Sequence, residues 1–264
     1  MNLSWWQGLV LGLVQGLTEF LPISSSGHLV LAETLVGFEP QGVVFEVIVH
    51  IATLLSVFIA YRRRIGELVR GLFARQAAAW SYALFLVVAT VPAAVIGLLF
   101  RDALEASFHS GVRLGLQFLF TAVVLYSTRF AVKRAGTAAM TTGRSLWIGA
   151  AQAVAIIPGI SRSGTTIAAA LWVGIAPAVA AEFSFLMAIV VIAGTGVLEL
   201  RHLTPDAAVL GPGLLWAFVS ALLAGIVAIK FLVALLRSSR FHLFAPYCAV
   251  LGVFCLIWFG WLGR

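Results

Sequence analysis

Residues Glu19 to His28 read Glu-Phe-Leu-Pro-Ile-Ser-Ser-Ser-Gly-His, and Pro158 to Thr166 read Pro-Gly-Ile-Ser-Arg-Ser-Gly-Thr-Thr. Each is a polar, turn-forming stretch inside an otherwise apolar chain. Non-helical backbone at membrane depth must be buried in protein or line a wet cavity, and polar groups placed there point to function. Ser24, Ser25 and Ser26 stand at one helix start, and Ser161 and Ser163 at another. A helix start carries free N–H groups and the positive end of the helix dipole. Two such starts with hydroxyls, joined by the guanidinium of Arg162, make an anion site, and the guanidinium fork suits phosphate oxygens. The pattern predicts a phosphate or diphosphate bound in a membrane-embedded pocket.

Glu19 would repel such a ligand if it stood alone. Three roles resolve this: it holds a divalent cation that bridges to the phosphates, it acts as a base or orients a water, or it only pairs with Arg162. His28, three residues past Ser25, is placed to exchange a proton with a serine nucleophile or a leaving group. Gln15, one helical turn before Glu19, is a further polar contact and a candidate metal ligand. Glu46 and His50 are also four apart, and there packing or an interface is the simpler reading.

The elements that position these turns follow from composition and segment length. The chain has 264 residues, is 62% hydrophobic and only 10% charged, with a mean hydropathy of +1.07. Soluble domains carry about 25% charged residues, so this is a polytopic membrane protein. The net charge of +7 reflects short basic loops rather than a nucleic-acid surface, because no soluble basic domain is present. Met1 to Gln7 has no Lys or Arg and is expected to stay in the mature fold. Cys248 and Cys255, seven apart on one apolar run, lie about 10 Å apart along a helix and are read as filler.

Trp5 to Leu21 is apolar, with Gly8, Gly12 and Gly16 on one face, a spacing that permits close approach of another helix. Leu29 to Phe38 would cover about 15 Å, half of a ~30 Å hydrocarbon core. The two pieces predict a re-entrant hairpin. Full spans are predicted at Val43–Tyr61, Tyr82–Phe100 (with a kink at Pro92) and Val112–Ala131. The pattern then restarts with short pieces at Ser145–Ile157 and Thr165–Ile175, followed by spans at Ala178–Leu198, Gly213–Leu236 and Leu243–Leu262.

The restart is a repeat. Gly12, Gln15, Ser24, Ser26 and Gly27 recur 137 positions later as Gly149, Gln152, Ser161, Ser163 and Gly164, and Glu46 recurs as Glu182. Three spans per half is an odd number, so the second half must be inverted. The predicted fold is an all-α polytopic membrane protein, a single domain over residues 1–264. Its repeats cover about 1–134 and 144–264, each a re-entrant helical hairpin plus three transmembrane helices. Arg62, Arg63, Arg64, Arg70, Arg75, Arg129, Lys133, Arg134, Arg144, Lys230, Arg237 and Arg240 fall on one side, against Arg101, Arg113, Arg201 and Arg264 on the other. The first group is therefore cytoplasmic and both termini face outward, with Trp5, Trp6, Trp258 and Trp261 at the outer interface.

At the two turns the chain resembles the undecaprenyl-diphosphate phosphatases, also called bacitracin-resistance proteins. Gln15 to Glu19 fits the family's (Glu/Gln)-x-x-x-Glu, although Gln15 stands where many members carry Glu. Pro22 to His28 fits Pro-x-Ser-Ser-x-Gly-His, and Pro158 to Thr166 fits Pro-Gly-x-Ser-Arg-Ser-x-x-Thr. The resemblance covers nearly the whole chain. It implies hydrolysis of undecaprenyl diphosphate to undecaprenyl phosphate plus phosphate, which recycles the lipid carrier of cell-wall (peptidoglycan) synthesis and confers bacitracin resistance. It also implies Mg2+ or Ca2+, held with Glu19 and Gln15, and an outward-facing site in the bacterial plasma (inner) membrane. On this expectation Glu19, Ser25, His28 and Arg162 are catalytic, with either Ser25 or a water as nucleophile. Ser24, Ser26, Gly27, Ser161, Ser163, Gly164 and Thr166 bind phosphate. The partners are a polyprenyl diphosphate and membrane lipid, with no nucleic acid and with a homodimer left open. The rival reading is an inverted-repeat transporter or flippase of a phosphate-bearing lipid.

Overall fold

Side-chain caps open four short helices of this chain. The computed structural model describes residues 3–39, 44–100, 111–133, 136–199 and 211–262. Helix α1, Trp5–Phe20, starts at Ser4 in a capping box: Gln7 N donates to Ser4 Oγ, and Ser4 N donates to Gln7 Oε1 at 3.0 Å. It ends at Leu21, which is extended ahead of Pro22. Helix α2, Ser25–Val36, closes on Gly37 in the left-handed conformation, φ 66°. The second short pair is α7, Thr142–Val154, and α8, Arg162–Trp172. At 1.5 Å per residue none of the four reaches ~30 Å.

The longer helices are α3 (Val44–Ala60), α5 (Ala77–Leu99), α6 (Gly111–Ala131), α9 (Pro177–Glu199), α10 (Gly213–Arg237) and α11 (Phe244–Ile257). A 3₁₀ turn, Phe241–Leu243, leads into α11, and a π turn, Trp258–Leu262, extends it. Among the described residues no strand occurs. Pro92 lies inside α5, which continues through it. On α5, Trp80, Leu84, Val87, Val91, Val95 and Leu98 are exposed while Ala79, Leu86, Ala89 and Ala93 are buried. A helix with its large apolar residues outward and its small ones inward suits lipid rather than water. The protein is an all-α, multi-pass membrane protein.

One helix was not anticipated. The basic segment after α3 is α4, Arg62–Phe73, bent 78° from α3 rather than a loop. Its signal is in the sequence, since Ile65 and Leu68 recur at helical spacing and pack on the core while Arg62, Arg63 and Arg70 face away. Arg64 Nε donates to Glu182 Oε1 at 2.8 Å, the Tyr82 hydroxyl donates to the same oxygen at 3.2 Å, and the guanidinium lies over the Tyr82 ring. These contacts tie α4 to α9 and α5. Trp5, Trp6 and Trp258 are exposed. The expectations placed on Arg101, Arg134, Arg201, Arg264 and the Trp261 side chain lie outside the described residues.

Helix α1 packs along α10, and the glycine stripe explains how closely. A Cβ on Gly8 would meet the Gly213 backbone, one on Gly12 the Ala217 carbonyl and Ser220 Oγ, and one on Gly16 the Ala221 backbone and Ala224. Small residues four apart therefore face each other on both helices. Because backbone cannot give way, Gly12→Val is expected to lower stability by about 1–3 kcal/mol or more. A thermal unfolding shift in detergent checks this; an unchanged midpoint would mean that the two helices separate freely.

Corresponding elements exchange partners across the chain. Helix α1 packs on α10 as α7 packs on α5, α3 on α10 as α9 on α5, and α6 pairs with α11. The core is uneven, however. Every residue of α8 from Ser163 to Leu171 is buried, whereas α2 buries only Gly27, Leu29 and Ala32. The turn that opens α8 therefore sits in the middle of the protein, and the turn that opens α2 lies against it from the side.

Candidate active site

The first turn is set by local chemistry. Pro22 stops α1, and Ser24 takes φ 71°, ψ 101°, a backbone conformation that non-glycine residues seldom adopt. Strain of this kind costs about 1–3 kcal/mol and collects at functional sites. A glycine would relieve it but would lose the Oγ that accepts from Gly27 N–H at 3.4 Å. His28 N–H bonds to Ser24 O, so the amides of Ser25 and Ser26 are the ones left for a ligand.

The second turn is built the same way. Ser161 caps α8 by accepting from Gly164 N–H at 3.1 Å, and Gly159 turns the chain at φ 85°. Thr121, on α6, donates to Gly159 O and accepts from Ser161 N–H at 3.1 Å, holding the turn from outside. No sequence signal marked Thr121, since one threonine in an apolar span is ordinary.

The two turns are bonded to each other. Gly159 N–H donates to Ser26 Oγ at 3.3 Å, and Ser163 Oγ donates to Leu21 O at 3.2 Å. A Cβ on Gly164 would come within 3.1 Å of the Pro22 side chain, and one on Gly27 within 2.6 Å of Phe118. These two glycines make the close approach possible. Thr166 is turned inward, donating to Arg162 O and sharing a hydrogen bond with Ser184 Oγ at 2.7 Å.

Glu19 is the centre of the arrangement. Its side chain is 6% exposed. Arg162 Nη2 donates to Oε1 at 2.5 Å, Ser25 Oγ donates to Oε2 at 2.6 Å, and Gln15 Nε2 donates to Oε2 at 3.2 Å. His50 Nε2 lies 4.0 Å from Oε2. The sequence favours packing or an interface for His50; the structure brings it to Glu19, and its spacing from Glu46 is the available signal. Its Nδ1 lies 2.7 Å from Glu46 O, a carbonyl that can only accept, so Nε2 is the nitrogen turned toward Glu19.

His28 is held differently from the sequence expectation. Nδ1 is 2.8 Å from Ser24 O and Nε2 is 2.7 Å from the Tyr247 hydroxyl. The hydroxyl of Ser25 is bonded to Glu19, not to His28. Tyr247 carries no sequence signal, being one of three aromatics in an apolar helix.

Two buried polar atoms at the centre lack a protein partner: Arg162 Nη1 and Gln15 Oε1. Buried polar groups are almost always hydrogen-bonded, so these two atoms are open to a ligand. A guanidinium with one arm on Glu19 and the other free suits a phosphate oxygen. A carboxamide oxygen and a carboxylate four residues apart on α1 are the donor types a hard cation takes. Among the described residues no group of three or more His, Cys, Asp or Glu could hold a metal ion.

A family model described as bacitracin resistance protein BacA matches residues 8–254. The chain is 40% identical to an undecaprenyl-diphosphatase of Desulfosudis oleivorans, over 97% of this chain and 98% of that one. It is 39% identical to the undecaprenyl-diphosphatase of Korarchaeum cryptofilum (94% and 96%) and 38% identical to that of Carboxydothermus hydrogenoformans (96% of each). The chain belongs to the bacitracin resistance protein BacA family.

Proposed function

We propose, from that membership and from the site, that this membrane protein is an undecaprenyl-diphosphatase. It hydrolyses undecaprenyl diphosphate to undecaprenyl phosphate and inorganic phosphate, returning the carrier lipid to peptidoglycan synthesis and conferring resistance to bacitracin. The observation that carries the chemistry is the line Arg162–Glu19–Ser25, with the free Arg162 Nη1 beside two helix starts.

The residues divide the work as follows. Arg162 Nη1 and the amides of Ser25 and Ser26 bind the terminal phosphate and stabilise the charge that spreads over its oxygens in the transition state. Ser25 Oγ attacks the terminal phosphorus while its proton passes to Glu19 Oε2, its hydrogen-bond acceptor. The bond to the bridging oxygen breaks, and undecaprenyl phosphate leaves. Water then attacks the phosphoserine, and the serine oxygen recovers its proton from Glu19. His28, with Nδ1 on Ser24 O and Nε2 on the Tyr247 hydroxyl, orients the first turn beside the phosphate. Ser24, Ser161 and Ser163, together with Gly27, Gly164 and Thr166, keep the two helix starts in place around the phosphate. Glu19 and Gln15 would hold Mg2+ or Ca2+, which supplies neutralisation of the diphosphate charge.

On this reading the chain is one domain in the bacterial plasma membrane, its repeats inverted and its termini and site facing outward. The exchange of packing partners between the halves supports the inversion, and the basic residues after α3, α6 and α10 support the orientation. The same plan is common in transporters, and one assay separates the two. Purified protein in detergent, with no second compartment, is expected to release phosphate from undecaprenyl diphosphate when Mg2+ or Ca2+ is present. Chelator should stop the release and added metal restore it. Well-folded protein that releases nothing under any metal would overturn the proposal and leave lipid translocation as the activity to measure.

A further inference from the structure

The last membrane helix reaches the first turn through Cys248, whose Sγ donates to Pro22 O at 3.7 Å, and through Tyr247. Tyr247, on α11, lies 219 residues from His28, with its hydroxyl 2.7 Å from Nε2 and its ring stacked on the imidazole, the planes 14° apart. The edge of Phe118 packs against the same imidazole, with centroids 5.4 Å apart. Nδ1 faces Ser24 O at 2.8 Å. A carbonyl oxygen can only accept, so Nδ1 carries the ring proton. In the neutral ring Nε2 is then a lone pair, and the Tyr247 hydroxyl donates to it.

The chain of bonds continues beyond the histidine. Ser24 is the residue with φ 71°, and its Oγ accepts from Gly27 N–H and contacts Ser26 Oγ at 3.3 Å. Ser26 Oγ in turn accepts from Gly159 N–H on the second turn. Tyr247 is thus joined through His28 to the backbone carbonyl of the strained turn that frames the anion site. Tyr247 and His28 also line one end of an apolar groove of about 640 Å³, walled by Val10, Leu13, Leu17 and Phe244. The pair stands where an apolar wall meets the polar turn.

We propose that Tyr247 is a positioning residue for the hydrolysis: its hydroxyl fixes His28 as the Nδ1–H tautomer and, through the Ser24 carbonyl, holds the first turn around the phosphate. The activity arm rests on the diphosphatase reading; the spectroscopic arm does not. Tyr247→Phe keeps the stacked ring and the groove wall and removes only the donor. With 15N-labelled histidine, His28 can be picked out from the five histidines by its disappearance in His28→Gln. In wild type its Nε2 signal is expected to be that of a hydrogen-bonded lone pair. In Tyr247→Phe the signal should move downfield as the bond is lost. Over the same pair kcat for phosphate release should fall about 10-fold with KM nearly unchanged, a loss of the size of one hydrogen bond. An unmoved Nε2 signal, or a kcat equal to wild type, would overturn the proposal. A wild type that released no phosphate would count against the diphosphatase reading instead, and the Nε2 shift would then decide whether Tyr247 positions His28.

Discussion

Arg162→Ala is expected to lower kcat/KM for phosphate release by about 10³-fold. The side chain is only 16% exposed, one arm of its fork is fixed on Glu19, and Nη1 has no protein partner. That free arm is the only cationic donor among the catalytic side chains assigned above. Guanidinium groups at transferring phosphoryls account for about 10³–10⁵ in rate, and single donors at developing charge for about 10²–10³. A second cost accompanies the first, because Glu19 is left as a buried carboxylate without its counter-ion. Breaking such a pair destabilises by about 3–5 kcal/mol, so a thermal unfolding curve must accompany the kinetics. Arg162→Lys should restore part of the stability and little of the rate, since one ammonium cannot serve Glu19 and a phosphate at fixed angles. If Arg162→Ala stayed within 10-fold of wild type, Arg162 would be only the structural partner of Glu19.

Ser25→Ala and Glu19→Gln are each expected to reduce kcat by about 10³-fold or more, and the double variant should be no slower than the slower single. The Ser25 hydroxyl donates to Glu19 Oε2 at 2.6 Å, so nucleophile and base form one hydrogen-bonded unit. Residues that act as a unit are strongly non-additive when removed together. A glutamine at position 19 can still accept from Ser25 but cannot take its proton at an oxygen with carboxylate basicity. Steady-state phosphate release from the four proteins of the cycle decides the matter. Near-normal release by Ser25→Ala would mean that water, not Ser25, attacks the phosphorus. Losses that simply multiplied would mean that the two residues serve different steps. Neither change touches the α1–α10 contact, and Ser25→Ala leaves no buried charge unpaired, so its loss of rate should come with little loss of stability.

The first turn shows how much of the site was legible in the chain itself. Pro22, the three serines and Gly27 carry their own instructions: proline ends α1, Ser24 caps α2, and the first amides of α2 face a ligand. Gln15 and Glu19 are one helical turn apart, and their hydrogen bond follows from helix geometry alone. The glycine stripe of α1 likewise announced a close helix neighbour, and α10 supplies it. His28 illustrates the opposite case. Its spacing from Ser25 suggested a proton partner, yet both ring nitrogens are engaged elsewhere, one locally with Ser24 and one with Tyr247.

The amino-acid sequence by itself determined which segments are too apolar for water, where α1 stops and α2 and α8 begin, and which residue types crowd the two turns. These are local properties, governed by the 3.6-residue period, by capping and by the conformational limits of proline. Only the tertiary structure decided that Arg162 meets Glu19 across 143 residues, that Ser25 points at Glu19, that His50 comes within 4.0 Å of the same carboxylate, and that Tyr247 reaches His28 from the far end of the chain. It also decided that α8 is buried at the centre while α2 stays at the side, although the two helices open with matching serine and glycine positions. The reason is physical. Contacts between elements depend on how closely whole helices pack and at what rotation, and that depends on the small residues of every partner at once rather than on the spacing within any one segment.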